Sequence, residues 1–114
     1  MKVVINADFG GFSLSDDAMR MYSDLAGLNL VGKPSSFGHT IFYLDGVIED
    51  ESAFWEGDIP RDDENLVKVV ETLGSAANGN YSRLKVVEIP DGVNWFIEEY
   101  DGREHVAERH RTWE

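Results

Sequence analysis

The sequence predicts an α+β fold: a largely antiparallel sheet of about six strands with two helices, in the order β-α-ββ-α-βββ. Three observations lead there. Two segments place apolar residues at helical spacing, and several short segments are rich in β-branched and aromatic residues. The links between the later segments are short Asp-Gly turns, which suit antiparallel neighbours rather than parallel crossovers.

The elements follow in order. Lys2 to Ala7 (KVVINA) reads as a short buried strand, broken by Phe9-Gly10-Gly11-Phe12. Ser13 or Ser15 caps a first helix, Asp16 and Asp17 suit its positive end, and Gly27 terminates it. Ala18, Met21, Tyr22 and Leu25 form its apolar stripe. Residues 28–39, with Gly32, Pro34 and Gly38, read mostly as loop. Thr40 to Leu44 is a strand, Asp45-Gly46 a type I′ turn, and Val47-Ile48 the start of a return strand. Residues 50–61 read as an exposed loop anchored by Trp55.

Asp62 or Asp63 caps the second helix, whose stripe is Leu66, Val69, Val70, Leu73 and Ala77, with Asn78-Gly79 as its stop. Three strands close the chain: Leu84 to Ile89, Val93 to Tyr100, and Arg103 to about Trp113. Pro90-Asp91-Gly92 and Asp101-Gly102 are the turns between them. A length of 114 residues, 42% hydrophobic and 11% aromatic, fits one domain over 1–114.

Composition narrows the function classes. No apolar run reaches the roughly 20 residues of a membrane span, and the N-terminus lacks the features of a signal peptide, so a cytoplasmic location is expected. The absence of Cys excludes disulfides and Cys-based zinc sites. No cofactor and no metal site are expected; the three His show no ligand spacing, and the acids at 49–51 and 62–64 lack EF-hand spacing. A net charge of −12 disfavours direct nucleic-acid and anionic-membrane binding. That charge is uneven. Residues 45–64 carry nine acids against the single base Arg61, whereas residues 103–111 hold three of the six Arg and two of the three His.

If Asp101-Gly102 is a two-residue turn, Tyr100 faces Arg103, Glu98 faces His105, Phe96 faces Ala107 and Asn94 faces Arg109. Those residues and Arg111 then share one face, because strand side chains alternate. Arg forks bind phosphates or carboxylates, aromatic rings stack on bases, and the Asn94 amide reads a base or ribose edge. The competing reading is a solvated face laced with ion pairs, above all Glu98–His105. That His–Glu pair is also the one acid–base arrangement that would suit a small enzyme, but no nucleophile motif accompanies it. Phe9-Gly10-Gly11-Phe12-Ser13 sits where backbone N–H groups hold anions, yet lacks G-x-G-x-x-G spacing and a Walker Lys, so a plain turn explains it.

The segments KVVINADFGGFSLSD, IPRDDENLVKVVETLG and LKVVEIPDGVNWFIEEYDGREHVAERHRTW resemble small bacteriophage and prophage proteins that end in an HRTW motif. In size, element order and the aromatic and Arg content of its C-terminal half, the chain is also similar to phage sponges that counter Thoeris defence. That likeness implies a non-enzymatic, oligomeric binder in an infected bacterial host. It would sequester a cyclic nucleotide immune signal through Tyr81, Phe96, Arg109 and Arg111, with Arg20 supplied by a neighbouring subunit. Joined to the hairpin reading, the expected ligand-binding set is Asn94, Phe96, His105, Arg109, Arg111, Tyr81 and Arg20. The alternative is an acidic DNA mimic that inhibits a host nuclease or other DNA-binding protein through the acids at 49–64.

Overall fold

A computed structural model describes residues 1–109. Strand β1 (Lys2–Asn6) leads to helix α1 (Asp16–Ala26), then β2 (Leu30–Pro34), β3 (Thr40–Leu44) and the two-residue β4 (Ala53–Phe54). Helix α2 (Glu64–Leu73), β5 (Leu84–Glu88), β6 (Trp95–Tyr100) and β7 (Arg103–Glu108) follow. The α+β class and the element order are those the sequence predicts. The strands, however, divide among three small antiparallel sheets, β1-β5, β2-β3-β4 and β6-β7, rather than joining into one. Among the described residues, no helix is long and apolar enough to cross a membrane.

Local chemistry explains both helices. Ser15 caps α1, its Oγ accepting the Ala18 N–H at 3.1 Å, and Gly27 closes it at a left-handed φ of 69°. Asp63 caps α2 by accepting the N–H groups of Asn65 at 2.8 Å and Leu66 at 3.1 Å. Gly74, at φ 55°, ends α2 earlier than the apolar stripe suggests, and a 3-10 turn carries the chain on to Ala77. The buried stripe of α1 is also rotated: Ala18, Met19, Tyr22 and Ser23 are buried, while Met21 and Leu25 are half-buried. Ser23 tolerates burial because its hydroxyl donates to Leu28 O and accepts the Leu30 N–H. Both helices share one core with Val4, Leu14, Leu30, Phe42 and Ile59.

Two strand expectations are corrected. Residues 30–34 form β2, paired with β3 from Leu30↔Leu44 to Pro34↔Thr40. Val47 and Ile48 form no strand: the Asp45-Gly46 turn is made, with φ of 55° and 73°, but the chain rejoins β3 only at β4, where Phe42 pairs with Phe54. The run Glu49-Asp50-Glu51 lies between, and its crowded like charges suit an exposed 3-10 turn better than a strand. Likewise, Pro90-Asp91-Gly92 turns a corner rather than a hairpin, because β5 pairs with β1 and β6 with β7.

The final hairpin keeps the expected register, Tyr100↔Arg103 through Trp95↔Glu108, with Asp101 and Gly102 at φ of 50° and 86°. Its attachment to the rest of the domain is polar. Glu104 is buried, and its carboxylate takes two bonds from the Arg61 guanidinium, at 2.6 and 2.9 Å, and a third from the Asn6 N–H at 2.7 Å. Asn6 Nδ2 donates to Gly102 O at 2.7 Å, and Arg61 lies 3.6 Å from the Phe12 ring centroid. The Phe9-Gly10-Gly11-Phe12 segment is therefore the seat of the Asp101-Gly102 turn, with Gly10 N–H donating to Asp101 O at 3.3 Å.

Removing one partner strands a buried charge, so Arg61→Met costs about 3–5 kcal/mol in urea unfolding. The double variant Arg61→Met/Glu104→Leu costs less than the single one, because no unpaired carboxylate remains. At the seat, a Cβ on Gly102 would meet the backbone nitrogens of Gly10 and Gly11 at a φ of 86°. Gly102→Ala should destabilise by more than about 1 kcal/mol and raise amide exchange at the Asn6 and Gly10 N–H groups.

Candidate functional site

The structure offers two surfaces that carry chemistry, and the expected ligand-binding residues divide between them. The first is the outer hairpin face. Arg109 lies 4.7 Å from the Phe96 ring centroid, and His105 Nε2 is 2.7 Å from Glu98 Oε2. Arg103 lies 6.0 Å from the Phe9 ring centroid, and Asn94 and Tyr100 are exposed alongside. Among the described residues, each basic side chain on this face already has an aromatic or acidic neighbour, in open water, where such pairs contribute little. Arg111 lies outside the described residues.

The second surface is a cleft of about 770 Å³. One wall is the start of α1, from Ser13 to Arg20; the facing walls are Gly38–Phe42 and Phe54–Glu56, and the fourth side is Asn78–Tyr81. Arg20 and Tyr81 line it, whereas Asn94, Phe96, His105 and Arg109 do not. His39, Thr40 and Trp55 also line it, none of them assigned to a site from the sequence, and so does Glu56, which the sequence placed only in the acidic run. The one available signal was Trp55, a large apolar residue isolated among acids.

The cleft is built on tied backbone. Leu14 and Asn78 form a bridge, Ser15 N–H donates to Ala77 O at 2.9 Å, and Ser15 Oγ donates to Ala76 O at 2.6 Å. Ser82 Oγ donates to Ser13 O at 2.8 Å and accepts the Gly79 N–H at 2.8 Å. A Cβ on Gly79 would collide with Ser13, so only glycine allows this approach. The site is thus held open before any ligand arrives. Tyr81 is 74% exposed and Trp55 48%, so both rings have faces left for a ligand.

Its polar groups are largely engaged. Asp16 accepts the Thr40 hydroxyl at 2.9 Å, Glu56 accepts the Leu14 N–H at 3.3 Å, and Arg20 is 3.5 Å from Asp17. Among the described residues, no buried side-chain nitrogen or oxygen lacks a partner, and no three His, Asp or Glu gather as metal ligands. Behind the cleft, Tyr22 stacks on Phe54 with centroids 6.0 Å apart. Burial, then the charge of Asp63 and a hydrogen bond to it, push the Tyr22 phenol above its ordinary 10.0. No family model, no curated protein and no solved structure matches this chain.

The Tyr22 shift has a defined sign. A phenol raised on folding contributes stability that is whole below pH 10 and is lost as pH climbs towards its folded value. Urea midpoints measured from pH 8 to 11 should fall at the alkaline end, and Tyr22→Phe should flatten that fall.

Proposed function

We propose that this protein is a non-enzymatic binder that captures a small nucleotide-type ligand in the cleft between α1, β3 and the Asn78–Tyr81 segment. The observation that carries the reading is the preformed 770 Å³ cleft with the Trp55 and Tyr81 rings on its walls. That volume lies within the usual range of small-molecule sites, and aromatic faces hold a planar base by stacking. Capture rather than turnover is supported by the state of the polar groups. Asp16, Ser15 and Glu56 are spent on structural hydrogen bonds, and the Glu98–His105 pair stands on the exposed hairpin outside the cleft. The likeness to phage proteins and to sponges of nucleotide signals supports the cellular form of the proposal: withholding such a signal from bacterial defence.

One observation favours a second reading, inhibition of a host DNA-binding or nuclease protein by acidic mimicry. Glu49, Asp50, Glu51, Asp58, Asp62 and Glu64 are all exposed. A complex of that kind forms with a basic protein and weakens steeply with salt.

Calorimetric titration with ribonucleosides and their 3′,5′-cyclic monophosphates tests capture directly. At least one should bind, and mass spectrometry should return it unchanged. Trp55→Ala or Tyr81→Ala should weaken binding by roughly 5- to 150-fold, the loss of one stacking contact. Arg109→Ala should leave it intact. Binding that vanishes with Arg109→Ala and survives Trp55→Ala would move the site to the hairpin; no binding by any of them would sink the reading.

A further inference from the structure

We infer that the cleft selects a base-bearing ligand of low charge, a nucleoside or a singly charged cyclic monophosphate, and rejects nucleoside triphosphates. This rests on the capture reading above and names its ligand class.

Charge on the cleft wall sets this selection. Three carboxylates, Asp16, Asp17 and Glu56, face one permanent cation, Arg20. The start of a helix ordinarily attracts phosphate, through outward N–H groups and the positive end of the dipole. At α1 both attractions are reduced. Ser15 Oγ occupies the Ala18 N–H, and the Glu56 carboxylate occupies the Leu14 N–H. Asp16 and Asp17 stand in the first turn and offset the dipole with fixed negative charge. Arg20 is itself claimed: it lies 3.5 Å from Asp17 Oδ1 and 6.0 Å from the Phe42 ring centroid.

A single phosphate charge can be met by Arg20 in competition with Asp17. Among the described residues, the further charges of a triphosphate find no second permanent cation on the wall and meet three carboxylates instead. The net charge of −12 repels in the same direction at longer range. The base is indifferent to this field, because stacking on Trp55 or Tyr81 needs only a π-face. Charge at the wall therefore discriminates among ligands that share a base.

The test is calorimetric titration of the full chain at physiological salt, using the common ribonucleosides, their 3′,5′-cyclic monophosphates and their triphosphates without divalent cation. The expected result is a nucleoside or cyclic monophosphate that binds, with the triphosphate of the same base at least about tenfold weaker. Asp17→Asn should free Arg20 and tighten the cyclic monophosphate by about two- to fivefold while leaving the nucleoside unchanged. A triphosphate that binds as tightly as its nucleoside, with that binding lost in Trp55→Ala, overturns the charge selection and leaves capture standing. An Asp17→Asn variant that shifts neither ligand overturns Arg20 as the anion contact. Silence from every ligand overturns the capture reading itself, and the selection falls with it.

Discussion

Among the described residues, strand β1 has β5 on one edge and no strand hydrogen-bonded to the other, and Arg61 and Glu104 stand in for the missing neighbour. Arg61 accepts the Val4 N–H with its backbone carbonyl at 2.8 Å, while its guanidinium reaches Val4 O at 3.4 Å. The same guanidinium grips Glu104, whose carboxylate takes the next outward N–H of β1, that of Asn6. A buried strand edge must satisfy every N–H and C=O it presents. Here Arg61, through its backbone carbonyl and its guanidinium, and the Glu104 carboxylate take three of these groups, and in doing so they fasten the C-terminal hairpin to the core. A planar guanidinium fits this place because it delivers paired N–H groups to a carboxylate and still sits over the Phe12 ring.

That arrangement explains why the strands do not merge into one sheet. With its outer edge closed by Arg61 and Glu104, β1 offers β7 no backbone ladder, so the hairpin remains a two-stranded ribbon docked by its turn end. The Gly10-Gly11 pair completes the dock, because Gly102 approaches too closely for any side chain at that point. On the other side of the domain, β2-β3-β4 curls against α1 as a separate sheet. The cleft opens between that sheet, the first turn of α1 and the segment after α2.

Much of the fold was legible because its signals are local. Asp101-Gly102 demands two positive φ angles, so the turn type set the hairpin register before any long-range contact was considered. Ser15 and Asp63 announce their helices by supplying side-chain acceptors to first-turn N–H groups, a matter of three or four residues. Strand β2 was not legible: Gly32 and Pro34 argue for loop, and Gly32 is required by contact instead, since a Cβ there would press on Thr40 and Phe42. The return strand after Asp45-Gly46 failed for a related reason. The turn formed, but Val47 and Ile48 found no buried face to occupy and remain exposed.

By itself, then, the sequence determined the α+β class, the element order, the helix starts to within two residues and the pairing of the last hairpin, all set within a few residues of chain. Only the tertiary structure decided which charges are buried and which residues share a cleft. Arg61 reads in sequence only as the lone base of an acidic run; its meeting with Glu104 across 43 positions is what gives both a structural role. Arg20 and Tyr81 likewise share the cleft with Trp55 and His39, apart from the hairpin face. The physical reason is the same in each case. Burial and convergence depend on how separate elements pack, and a local pattern of residue types carries no record of that distance.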